Sequence, residues 1–238
     1  MMEFKSFTSK GNVRENNEDN YLLKLEPYPL IVVADGMGGH RAGDVASQIA
    51  VDFIKKYKFD LDHDILAEIE NLIKMINEKI INKGKKNQKY KGMGTTLSLA
   101  LIYKKKLYIG HIGDSRIYLY RNQKLEKVTT DDSLVNELIE SGRLSPGEAF
   151  DHPQKHILTQ ALGTDYDINI EKETVKLKDD DILMFCTDGL TDMIREKRIE
   201  EIIAEHTSDI NTLAQKLGNK ALENGGSDNI TLITGIIN

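Results

Sequence analysis

Apolar residues in this chain fall either into short continuous runs or into three- and four-residue periods, and the two patterns come in groups instead of strict alternation. Leu30-Ile31-Val32-Val33-Ala34 is wholly apolar, which predicts a strand covered on both faces and delivering Asp35 at its end. Tyr21-Leu22-Leu23 precedes it across the turn-forming Glu26-Pro27-Tyr28-Pro29. Val45, Ile49 and Phe53, with Ala42, Ala46, Ala50 and Ile54 beside them, then mark one face of a helix. Ile65, Ile69, Leu72, Ile76 and Ile80 predict a second helix, over about residues 62 to 83. After Gly94-Thr95-Thr96 the period changes to two: Leu97, Leu99, Leu101 and Tyr103, then 107–112 and 116–120, read as an antiparallel meander with turns at Lys104-Lys105-Lys106 and Arg121-Asn122-Gln123-Lys124. Residues 131–165 are irregular, with a short helix near Leu134 to Glu140 and then Gly142, Pro146, Gly147, Pro153 and Gly163, and read as a surface excursion that forms a mobile flap. A strand at 182–186, helices over about 192–205 and 209–223, and a strand at 230–237 complete the pattern. Grouped helices and strands predict an α+β layered fold with antiparallel sheets, not a doubly wound parallel one.

Composition narrows the function classes. At 238 residues, 29% charged, 39% hydrophobic and with only 4 Pro, the chain has the make-up of a folded globule with a substantial core. Its net charge of −6 argues against generic nucleic-acid binding, which needs a clustered positive surface. The one basic run, Lys83, Lys85, Lys86, Lys89 and Lys91, reads as a solvated connection. A single cysteine, Cys186, sits in an apolar strand and reads as a small buried hydrophobe with no redox role. No stretch approaches the roughly 20 apolar residues of a membrane span and the N-terminus has no secretory core, so the cytoplasm is expected.

The chemistry lies in four acidic islands beside the apolar runs: Asn17-Glu18-Asp19, Asp35-Gly36-Met37-Gly38-Gly39-His40, Thr187-Asp188-Gly189-Leu190 and Asp228-Asn229. One aspartate at a strand end is a turn residue; four such points suggest carboxylates converging on one place. Converging carboxylates need positive charge between them, and an all-oxygen donor set suits Mg²⁺ or Mn²⁺. Asp35 is the natural bridging ligand, and Gly36 has no side chain to keep its carbonyl from a cation. Two divalent ions roughly 3.5–4 Å apart would hold a bridging water as hydroxide, a nucleophile for phosphoester hydrolysis. Arg14 is placed to supply a guanidinium to the phosphate oxygens. The glycine-rich DGMGGH has neither the spacing of a dinucleotide fingerprint nor the Lys-Ser/Thr ending of a Walker loop.

Arg14-Glu-Asn-Asn-Glu-Asp19, Asp35-Gly-Met-Gly-Gly-His40, Gly94-Thr-Thr96, Gly113-Asp-Ser-Arg116, Thr187-Asp-Gly-Leu190 and Asp228-Asn229 resemble, in order and spacing, the motifs of the metal-dependent Ser/Thr protein phosphatases of the 2C type, the PPM family. The chain looks like a small bacterial member, with the match running from about residue 4 to 236. The resemblance implies one catalytic domain over 1–238, an antiparallel β-sandwich flanked by helix pairs, with the metal site at one end. It implies Asp35, the Gly36 carbonyl, Asp188 and Asp228 as ligands of the two-metal centre, Glu18 and Asp19 as a supporting acidic pair, and Asp114 with Asp188 and Asp192 at a third, weaker ion. It makes Arg14 the phosphate-binding arginine and 141–165 the flap near the substrate. Met37 stands where eukaryotic members place a histidine proposed as general acid; His40 either protonates the leaving alkoxide or holds a water or carboxylate.

By this reading His111 is a packed sheet histidine, His152 and His156 are surface residues of the flap, and Thr95, Thr96 and Asn229 position backbone and carboxylates. The expected substrates are phosphorylated proteins and the expected opponent a bacterial Ser/Thr kinase, with the chain acting as a monomer. Two alternatives stand beside it: a non-catalytic scaffold on the same fold, which the intact Asp35, Asp188 and Asp228 argue against, and a phosphatase dedicated to one regulator, such as an anti-sigma antagonist.

Overall fold

The all-apolar runs become strands because both of their faces are covered. In the computed structural model, which describes residues 2–38, 42–207 and 209–238, the elements in chain order are β1 (Glu3–Ser9), β2 (Asn20–Lys24), β3 (Leu30–Ala34), β4 (Gly36–Met37), α1 (Ala42–Lys56), α2 (Ile65–Lys86), β5 (Gly94–Thr95), β6 (Leu97–Tyr103), β7 (Lys106–Ile112), β8 (Arg116–Arg121), β9 (Lys124–Lys127), α3 (Leu134–Glu140), α4 (Pro146–Ala149), β10 (Glu171–Lys176), β11 (Ile182–Cys186), α5 (Asp188–Thr191), α6 (Glu196–Glu205), α7 (Ile210–Glu223) and β12 (Ile230–Ile236). Two five-stranded sheets form, in the orders β1-β12-β11-β8-β9 and β10-β7-β6-β3-β2, with antiparallel neighbours throughout.

Alternate residues of the central strands serve different apolar layers. In β3, Ile31 and Val33 face Leu183, Phe185, Ile117 and Ile233 of the other sheet, whereas Leu30, Val32 and Ala34 pack under α1 and α2 with Ile54, Ile69 and Ile73. β11 divides in the same way, Leu183 and Phe185 inward and Ile182, Met184 and Cys186 under α6 and α7. The protein is therefore an antiparallel sandwich with a helix pair on each outer face, an α+β fold. Among the described residues no helix is long and apolar enough to cross a membrane.

The edge strands β1, β9 and β10 escape the sequence pattern. β10 is Glu-Lys-Glu-Thr-Val-Lys with no buried residue, and β9 is Lys-Leu-Glu-Lys; charge on an edge protects it from pairing with other chains and erases the apolar signal that marks an inner strand. The second helix starts at Ile65 because the Asp64 carboxylate accepts from the Leu66 and Ala67 N–H groups at 3.0 and 3.3 Å. The helix expected over about 192–205 begins only at Glu196, as α6, and the separate one-turn α5 precedes it.

His111 lies in β7 with no exposed surface. Its Nε2 donates to the carbonyls of Gly113 and Thr130 at 3.0 and 3.1 Å, which leaves Nδ1 to accept from the Ser98 hydroxyl at 2.8 Å. Burial pushes its pKa down to about 4 against the smaller opposing pull of Asp131. A depressed folded value means that the unfolded chain takes the proton first, so His111 contributes stability above pH 6.5 that is lost as pH falls toward 4. The loss is bounded at about 3 kcal/mol, from about 2.5 pKa units. Urea unfolding at a series of pH values should show a steeper fall between pH 6.5 and 4.5 for the native chain than for His111→Gln; parallel curves would exclude this assignment.

Candidate metal centre

Asp35 reaches the end of the sandwich because β3 stops there and the Gly94-Thr95-Thr96 turn grips its backbone. Its N–H donates to Thr96 Oγ1 at 2.9 Å, and its carbonyl accepts from Thr96 N at 2.9 Å and Thr95 Oγ1 at 2.8 Å. Thr96 Oγ1 also meets Ser115 Oγ at 2.7 Å, tying this strand end to the Gly113-Asp114-Ser115 loop. Gly36 follows in β4, paired with Thr95, and a Cβ there would overlap the Gly43 backbone and lie 2.5 Å from the Glu18 carbonyl. Gly43 in turn lies against the Glu18 carboxylate. Two glycines thus let α1, the Asp35 loop and the Glu18 segment close on each other.

The second half of the site comes from the other sheet. Thr187, next after β11, donates its hydroxyl to Asp19 Oδ2 at 2.9 Å and accepts the Thr231 N–H at 3.0 Å. Asp188 opens α5, and its carbonyl accepts from Asp192 N at 2.7 Å. Asn229, before β12, is a staple: its Oδ1 accepts from Glu18 N at 2.8 Å, while its Nδ2 donates to the Lys10 and Asn16 carbonyls at 3.0 and 2.8 Å. Asp228 beside it accepts from Arg14 Nη2 at 2.7 Å.

The electrostatics are lopsided. Burial, reinforced by the neighbouring carboxylates, pushes Asp19 up to about 7 and Asp188 up to about 6, and lifts Asp35 and Asp114 well above the usual carboxylate range. Partial burial pulls Arg14 down, but Asp228, and behind it Asp35 and Asp188, outweigh this and raise it. Asp19 Oδ1 and Asp188 Oδ1 are buried without a hydrogen-bond partner. Unpartnered buried carboxylate oxygens are costly unless a cation takes their lone pairs. An oxygen-only donor set of this kind fits Mg²⁺ or Mn²⁺.

Around Asp192 the structure adds residues that the sequence did not single out. Lys155 Nζ and His156 Nδ1, both between α4 and β10, lie 3.2 and 3.1 Å from its two carboxylate oxygens. His156, Asp188 and Asp192 each offer a ligand atom, all within 4.8 Å of one another. His156 is exposed, as expected, yet it is engaged. Nearby, Arg195 pairs with Asp151 at 2.7 Å and stacks 4.0 Å from the Phe150 ring centroid. His40 lies outside the described residues.

The model of the family described as protein phosphatase 2C matches residues 8–224. The protein phosphatase PhpP of Streptococcus pneumoniae is 41% identical over 240 residues, covering 97% of this chain and 96% of the relative. Among solved structures, the Mycobacterium tuberculosis serine/threonine phosphatase PstP/Ppp superposes with a TM-score of 0.92 at 32% identity, covering 99% of this chain and 98% of that one. The catalytic domain of the serine threonine protein phosphatase PstP in complex with two manganese ions superposes with a TM-score of 0.87 at 30% identity, covering 99% and 97%.

Raised folded pKa values contribute stability that is complete below the unfolded value near 3.8 and is lost as pH climbs through about 6 and 7. This cluster therefore lowers the thermal midpoint of chelated protein between pH 5 and pH 8, and added Mn²⁺ should raise the midpoint more at pH 8, where fewer protons must leave. At a hundred-fold excess over Kd the gain is about 2.7 kcal/mol, or about 5–10 °C for a chain of this size. Differential scanning fluorimetry checks it; an equal shift at both pH values would count against carboxylate ligation.

Proposed function

Because the chain belongs to the protein phosphatase 2C family, we propose that it removes phosphate from serine and threonine residues of proteins with two divalent cations, Mg²⁺ or Mn²⁺, at the end of the sandwich. The observation that carries this reading is the meeting of buried carboxylates from both sheets, two of their oxygens unpartnered, with an arginine at the mouth. Asp35, the Gly36 carbonyl, Asp188 and Asp228 would hold the ions, with Glu18 and Asp19 supporting them and Asp114, Asp188 and Asp192 offering a third, weaker position. Such a pair of ions generates a nucleophile from water near neutral pH and neutralises charge on the phosphate.

The protein's own groups do the positioning. Thr95 and Thr96 hold the Asp35 backbone from both sides, so its carboxylate needs no reorganisation when substrate arrives. Arg14 is anchored through one nitrogen to Asp228 while its side chain remains 57% exposed, which leaves guanidinium donors for two phosphate oxygens. Cys186 is fully buried and burial pushes its thiol up to about 12, so a thiolate nucleophile and a cysteinyl-phosphate intermediate are not part of the reaction. The chain would work as one catalytic domain and a monomer in the cytoplasm, opposing a Ser/Thr kinase, with 141–165 as the flap beside the substrate.

Hydrolysis of a phosphothreonine peptide should require Mn²⁺ or Mg²⁺ and fall by more than about 100-fold in Asp35→Asn with the circular dichroism spectrum unchanged. Near-full turnover in that variant would overturn the two-ion reading. Cys186→Ala should keep turnover within about two-fold; loss of activity in the folded variant would reopen a thiol mechanism.

A further inference from the structure

Between Glu78 and Asp114 the chain carries no acidic residue, yet Lys83, Lys85, Lys86, Lys89 and Lys91 crowd into one short stretch. All five are exposed. Other surface lysines close to acidic residues do pair, as in Lys74 with Glu70 at 2.6 Å and Lys105 with Asp179 at 2.7 Å. Among the described residues none of these five has a carboxylate within ion-pair distance. Aromatic rings support two of them instead: Lys83 lies 5.3 Å from the Tyr90 ring centroid, and Lys85 lies 4.7 Å from that of Tyr166 while donating to its hydroxyl at 3.2 Å. Lysines in the last turn of α2 are accounted for by the helix dipole. Lys89 and Lys91 lie beyond the helix end, so the dipole does not explain them.

The C-terminal end of the cluster leads into the segment that packs against the Asp35 loop. Lys91 comes two residues before Met93, whose Cα would lie 3.2 Å from a Cβ placed on Gly38. Gly38 is three residues from Asp35, and β5 beyond Met93 pairs with Gly36–Met37. Summing the longest possible chain segments puts Lys91 no more than about 25 Å from Asp35. On its other side the cluster meets the segment leaving the flap: the Asn77 side chain accepts from Gly163 N at 2.7 Å and donates to the Asp165 carbonyl at 2.7 Å, which places Tyr166 beside Lys85. Lys83 and Lys86 share a cleft with Asp44, Asp52 and Glu78, but Lys85, Lys89 and Lys91 extend the cluster past it, and such a local excess of positive charge on a chain of net charge −6 favours an anionic partner there.

We propose that the cluster Lys83, Lys85, Lys86, Lys89 and Lys91 docks an acidic stretch of the phosphoprotein substrate that begins within about seven residues of the phosphorylated side chain, the number of extended residues that covers the upper bound on the distance from Asp35 to Lys91. The proposal rests on the phosphatase reading and adds the substrate class that the enzyme prefers. Docking at a distance from the reacting phosphate acts on KM and leaves kcat alone.

The test compares phosphothreonine peptides that differ only in bearing about four glutamates or four glutamines, five to eight residues to either side of the phosphothreonine. Native protein should show a KM about ten-fold lower for a glutamate peptide at equal kcat, with the advantage gone in about 0.5 M salt. Lys85→Glu/Lys86→Glu/Lys89→Glu, and the milder triple change to Gln, should lose the preference while p-nitrophenyl phosphate turnover is unchanged. Equal KM values in native protein, or a preference retained by both triple variants, would overturn the proposal and leave the phosphatase reading standing. If neither peptide is cleaved, the phosphatase reading fails, and fluorescence anisotropy of the labelled unphosphorylated peptides decides the surface: lysine-dependent binding of the glutamate peptide supports it, no difference refutes it. Lysine-dependent sedimentation with phosphatidylglycerol vesicles, alongside equal treatment of the two peptides, would make the patch a lipid surface and likewise refute it.

Discussion

Asp19, Asp35, Asp114 and Asp188 cannot share one poorly hydrated end of the sandwich as four anions without cost. Coulomb repulsion and burial act in the same direction there, and a single arginine at the mouth cannot balance them. Without ions, Asp19, Asp35, Asp114 and Asp188 hold their protons to higher pH than ordinary carboxylates. Divalent cations answer the same repulsion without giving up the oxygen ligands. The threonine clamps, the two facing glycines and the Asn229 staple all serve to hold mutually repelling groups in place until that charge arrives.

The sandwich makes the arrangement possible because it delivers strand ends from two sheets to one edge. β3 brings Asp35, β11 brings Thr187 and Asp188, and the start of β12 follows Asp228 and Asn229. Apolar packing between the sheets fixes these strands against each other through Ile31, Val33, Phe185 and Ile233, so the carboxylates inherit the rigidity of a close-packed layer. The outer helix pairs cover the remaining faces, which is why the strands at the centre of each sheet can be apolar on both sides.

How much of this the sequence discloses depends on where each residue lies. Inner strands such as 30–34 and 182–186 are legible because double burial leaves only apolar side chains. The edge strands β1, β9 and β10 are not, since solvent and charge on one side remove the pattern. Asp35, Asp188 and Asp228 stand out because aspartate beside a strand recurs in ordered motifs. The approach of Lys155 and His156 to Asp192 could not be read in advance, because it joins the segment between α4 and β10 to a helix end through tertiary geometry and no local spacing encodes it. The lysine run from 83 to 91 was legible as composition, but its nearness to Gly38 and the flap exit needed the fold.

The Asn229 staple has a bearing on how the molecule is made. β12 lies between β1 and β11, and Asn229 holds the loop carrying Arg14 and Glu18. A ribosome therefore releases β1, Arg14 and Glu18 long before the strand that pairs with them exists. Those early segments must wait, unpaired along one edge, until residues beyond 228 emerge, and contacts of such long sequence separation form late and slowly. The centre cannot assemble piecemeal: a nascent chain already holding Asp35 has no Asp228 and no anchored arginine, so the active arrangement appears only after the last strand has slid into its gap.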